Sequence, residues 1–151
     1  MNYDLNYFIN FFSEIPENRW TEHTFFSQGL DNKKFLGFKI PNSYKLINTC
    51  CAQGHCIDEK DRSDFLCKLT LEPFKSVSRN YPKLRALLDI THDPEYGEQT
   101  TIALVNNGDH PNYNQATPKH RVLAYLYDLL SKEYDEKHPF SEEQYAKFKE
   151  D

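Results

Sequence analysis

Residues 48 to 58, NTCCAQGHCID, gather three of the chain's four cysteines, a histidine and a glycine. Three chemistries use those residue types. A metal is the first: Cys51 and His55 stand four apart, so on a helix they share a face, with Cys56, His92 or His110 to complete a tetrahedral set. The chain holds no C-x-x-C pair and no second cluster of this kind, which argues against structural zinc. Catalysis is the second. A thiolate at a helix start is stabilised by the dipole and further by a nearby histidine. Cys50 or Cys51 would then be the nucleophile, the latter paired with His55 in the simplest version, with His92 and His110 as other bases. Asn106, Asn107 or Asp109 would orient the base. Packing is the third: buried thiols act as small apolar side chains, and Ala52 and Gly54 let the helix approach a neighbour closely. Packing is the commonest role of cysteine in a reduced protein, and neither a metal nor a cofactor is assigned.

A second cluster, DHPNYNQATPKHR at 109 to 121, mixes amide, aromatic and basic groups. Lys119, His120 and Arg121 fall in the first turn of the helix predicted after Thr117, where cations oppose the helix dipole. An anion seated there would neutralise them, as would Asp109 or another acidic residue. The candidate ligand-binding set is therefore Asn107, Asp109, Tyr113, Lys119, His120 and Arg121, with Tyr113 either stacking on a planar ligand or covering the core. The turn NNGD, 106 to 109, serves this set if its amides are open, and otherwise satisfies its own backbone.

The elements that must position these residues follow from periodicity. Leu5, Phe8, Ile9, Phe12 and Ile15 predict a helix over 3–15, closed by Pro16. Residues 18–29 read as loop with a short strand, and KKFLGFKIP as a strand ended by Pro41. The cysteine segment predicts a helix over 43–56, and Phe65, Leu66 and Leu69 another over 61–69. Pro82 opens a helix carrying Leu84, Leu87 and Leu88. TTIALV at 100–105 reads as a buried strand stopped by NNGD. Thr117 and Pro118 start a long helix with Val122, Leu123, Leu126, Leu129 and Leu130 on one stripe. Ser141 and Gln144 form a capping-box pattern for a short peripheral helix within 139–151. The expected fold is one α+β domain over 1–151, helix-rich, with about five helices and a small β-sheet.

The chain has 151 residues, 18 Lys and Arg against 23 Asp and Glu, and a net charge of -5. An acidic balance argues against a dedicated nucleic-acid binder. MNYDLNYFINFF lacks a basic leader segment, and no apolar run approaches a membrane span, so a cytoplasmic protein is expected. No phosphate loop, dinucleotide fingerprint or metalloprotease helix is present, which removes the standard nucleotide enzymes. THDPEYGEQ, with its Pro94 and Gly97, reads as a surface turn.

CCAQGHC at 50–56, IALVNNGD at 102–109 and TPKHRVLAYLYDLL at 117–130 together resemble a family of small domains found in bacterial and phage genomes. FFSEIPENRW is similar to the opening of its phage-type members. Gln53 stands where that family commonly carries an apolar residue, and NNGD where it often has a plain Asn-Asp pair. The resemblance brings no assigned chemistry. It implies that the cysteine segment and the 106–109 turn lie side by side. An acidic balance, many aromatics and no catalytic motif point to a noncatalytic accessory protein that binds another protein or a small ligand, and the resemblance implies a host protein, such as a defence component, as what it binds or inhibits. Two alternatives stay open: a cysteine-dependent hydrolase or transferase using Cys51, and a binder of a small anionic, nucleotide-like ligand.

Overall fold

A computed structural model describes residues 2–35, 38–93, 95 and 100–134, of which 28–35 and 38–47 are described as backbone only. Its order is α1 (Leu5–Ser13), β1 (Phe26–Phe35), β2 (Phe38–Cys50), α2 (Ala52–His55), α3 (Arg62–Leu69), α4 (Phe74–Ser78), α5 (Pro82–Ile90), α6 (Thr101–Asn106) and α7 (Pro118–Tyr134). The expectation of a helix-rich α+β domain with a small sheet holds. That sheet is one antiparallel ribbon, with Phe26 opposite Cys50 and Asn32 opposite Tyr44.

Helices α1 and α7 carry the centre of the core, packed against each other. Asp4 caps α1 by accepting the Tyr7 N–H at 2.8 Å, and Leu5, Phe8, Ile9 and Phe12 then fall on one buried face. Thr117 caps α7 in the same way, its hydroxyl accepting the His120 N–H at 3.2 Å. Val122, Leu123, Leu126 and Leu130 are buried along α7. A second, aromatic part of the core joins Phe25, Phe65 and Tyr81 edge to face, with ring centroids 5.2 to 5.4 Å apart. Trp20 lies between α1 and the cysteine segment, its ring 5.5 Å from Phe12 and 4.9 Å from His55.

Three sequence-based expectations are corrected. Residues 100–105 form no strand: Thr101–Asn106 is helix α6. β-Favouring residues lose to burial here, because Ile102 and Val105, three apart, are both fully buried on a helix packed against α7. The helix expected over 43–56 is strand β2 as far as Cys50, and only Ala52–His55 is helical. The strand expected over 33–41 is divided, with 33–35 ending β1 and 38–41 beginning β2. The segment 18–29 begins with a 3-10 turn at Glu17–Arg19 and runs into β1 at Phe26. Helix α4 was not anticipated. The C-terminal helix expected within 139–151 lies outside the described residues.

Candidate functional site: the cysteine segment and the end of helix α6

The root of the ribbon delivers the cysteines. Trp20 bridges Cys50, the Thr21 N–H donates to the Cys50 carbonyl at 3.0 Å, and the Cys51 N–H donates to the Phe25 carbonyl at 3.2 Å. The chain then turns sharply into α2. Gly54 is required at that point, because a Cβ there would overlap the Phe25 carbonyl oxygen.

Helix α6 arrives from the other side and ends in a Schellman arrangement. The Gly108 N–H donates to Val105 O at 3.2 Å and the Asp109 N–H to Leu104 O at 2.9 Å, with Gly108 at φ +77°. NNGD is thus a helix C-terminus. Asn106, fully buried, joins the two segments: its Oδ1 accepts the Ala52 N–H at 3.0 Å, and its Nδ2 donates to Thr21 O at 2.9 Å and Asn107 Oδ1 at 3.1 Å. Asn107 Oδ1 also accepts the His23 N–H at 2.8 Å, holding His23 in the left-handed region at φ 64°. The cysteine segment and the 106–109 turn do lie side by side.

Around this junction Cys51, Gln53, Asn106, Asn107 and His23 line a cavity of about 300 Å3. The Gln53 side-chain oxygen accepts the Thr100 hydroxyl at 2.9 Å. Cys51 Sγ accepts the Gly54 N–H at 3.4 Å, so the thiol serves as the N-cap of α2. Burial pushes its pKa up to about 11. Cys50 and Cys56 are raised too, chiefly by burial, with the Arg62 and Arg19 charges drawing Cys50 partly back. All four cysteines are free, and Cys67 alone is exposed.

His55 does not share the Cys51 cavity. It lines a second one of about 320 Å3 with Cys50, Arg19, Glu59 and Arg62. Burial, reinforced by the Arg62 charge, lowers its pKa to about 3, and its Nε2 is buried without a hydrogen-bond partner. The histidine that lines the Cys51 cavity is His23, which no motif in the sequence marks. Asp109 is exposed and lines neither cavity. Among the described residues no group of three or more His, Cys, Asp or Glu is placed to hold one metal ion.

The ligand-binding set is divided as well. Arg121 is buried and turned onto the protein, donating to Val105 O (3.1 Å), Gln115 O (2.8 Å), Asn106 O (2.7 Å) and Glu22 Oε1 (2.7 Å). Its charge thereby closes the C-terminal end of α6, where carbonyls favour a cation. Lys119 is fully buried and His120 nearly so. Tyr113 is committed elsewhere, its hydroxyl donating to Asp128 at 2.6 Å with its pKa raised chiefly by burial. Asn107 and Arg121 therefore meet at one helix end, while Asp109 stays at the surface and Tyr113 turns toward α7. Thr21 and Glu22, which complete the junction, carried no sequence signal, and Gln53 stood out only as a polar residue in an apolar place, since each acts through a contact with a distant segment. No family model, curated protein or solved structure matches the chain.

Proposed function

We propose that this protein acts by binding, without catalysis, and that its partner is another protein. The observation that carries the first half is the state of Cys51: buried, spent on the Gly54 N–H, with a pKa near 11. A nucleophilic cysteine needs the opposite environment, exposed and electropositive. Supporting the second half is the ribbon. Two-stranded ribbons present backbone edges to which a partner can add a strand, and among the described residues no third strand pairs with either edge. The resemblance to phage-type domains supports a host protein as the target.

Site-resolved thiol labelling of the native protein between pH 6 and 9 tests the noncatalytic reading. Cys67, exposed on α3, should react at once and serve as the internal standard. Cys50, Cys51 and Cys56 should react only as fast as the structure opens. Rapid labelling of Cys51 below pH 7, abolished by His23→Ala, would overturn the reading and establish a cysteine–histidine enzyme.

A further inference from the structure

Between α4, α5 and the start of α6 lies an open cavity of about 620 Å3, a size that suits a small organic ligand. Its rim is basic. Lys75 and Arg79, four apart along α4 and its C-cap, and Arg85 on α5 are all exposed. Among the described lining residues these three cations meet one carboxylate, Asp89, which lies 3.6 Å from Arg85. The chain as a whole carries -5, so this local excess of positive charge runs against its overall charge.

The interior differs from the rim. Phe74 and Leu88 supply apolar wall, and Ser78, Thr91 and Thr101 are buried. The Thr91 hydroxyl is committed to Leu87 O at 2.7 Å and that of Ser78 to Lys75 O at 2.9 Å. Thr101 Oγ1 is itself shut off from solvent, so the surface that a ligand meets inside is mostly apolar.

We propose that this cavity binds a nucleoside phosphate. The planar base lies against Phe74 and Leu88, and the phosphate meets Lys75, Arg79 and Arg85 at the rim. A sugar phosphate would leave its hydroxyls against apolar wall. A nucleic-acid strand would gain only the rim cations, on a chain whose net charge is -5. The site stands apart from the cysteine junction, so this inference does not rest on the noncatalytic reading.

Titration calorimetry on the full chain at low salt tests it, with AMP, GMP, CMP and UMP as probes, each beside its nucleoside, and with inorganic phosphate and a short oligonucleotide. At least one mononucleotide should bind with a Kd below about 1 mM, at least tenfold more tightly than its nucleoside or inorganic phosphate. Raising the salt should weaken it, because the cations are exposed. The exposed double variant Lys75→Glu/Arg79→Glu should keep the fold by circular dichroism and lose about tenfold or more in affinity. The proposal is overturned if no mononucleotide binds, if the charge reversal leaves affinity unchanged, if inorganic phosphate binds as tightly, or if the oligonucleotide outcompetes every mononucleotide.

Discussion

A single buried amide holds the candidate site together. Asn106 receives the Ala52 N–H and donates to Thr21 O, so one side chain satisfies two backbone groups from segments far apart in sequence. Replacing it by alanine would leave both groups buried and unpaired, each costing about 1–3 kcal/mol. The expected result is a loss of about 3 kcal/mol in urea unfolding. Faster labelling of Cys51 should accompany it, since the Ala52 N–H lies beside that thiol. A variant of parental stability would show that water replaces the amide without cost. The same residue marks the limit of a linear reading. Asn106 was legible as a turn residue, but nothing adjacent in the chain announces that its partners are Ala52 and Thr21. For Arg121 a cation in a first helical turn suggests an anionic ligand or an acidic residue, and it is the second that faces it: Glu22, together with the carbonyls at the end of another helix.

At the scale of elements, the two glycines of the site should respond differently to the same change. A Cβ at Gly54 meets the Phe25 carbonyl oxygen, which is backbone and itself accepts the Cys51 N–H. Gly54→Ala must therefore displace α2 from the ribbon root, and we expect it to cost about 3 kcal/mol. At Gly108 the nearest atom to a new Cβ is Arg121 Cζ at 3.4 Å, an ordinary contact distance that asks nothing to move. The penalty for Gly108→Ala is then mainly that of positive φ, about 1 kcal/mol. Parallel urea melts of the two variants give the order, and a costlier Gly108→Ala would contradict the close approach of α2. Elements α1, α5 and α7 were legible because cap, proline and apolar stripe agreed with one another. The failures share a cause. TTIALV and SYKLINTC are short apolar runs that suit helix or strand equally, and the choice falls to partners elsewhere in the fold: α7 for α6, and β1 for β2.

For the molecule as a whole, two histidines couple folding to acid. His55 is held near pKa 3, first by burial and then by the Arg62 charge, with backbone groups of Arg19 and Cys50 pulling weakly the other way. His110 is lowered as well by burial, against the pull of Asp93 and Glu95. In the unfolded chain each takes up a proton near pH 6.5. Below that pH the unfolded state binds protons that the native state refuses, so the stability these groups contribute is complete above about pH 6.5. For His55 the loss continues until about pH 3, where the native side chain protonates too. Each group gives a slope of at most one proton, about 1.4 kcal/mol per pH unit. His55→Phe keeps a ring against Trp20 and removes the titration. Urea unfolding at several pH values from 7 to 4.5 should therefore show a shallower acid loss in the variant than in the parent. The difference in slope is the quantity to read, because the offset also contains the altered packing and the removal of a buried Nε2 without a partner. Parallel slopes would mean that His55 charges freely in the folded protein. It would then stand in water beside Cys50, Arg19 and Arg62, and that second cavity would deserve the reactivity tests reserved above for Cys51.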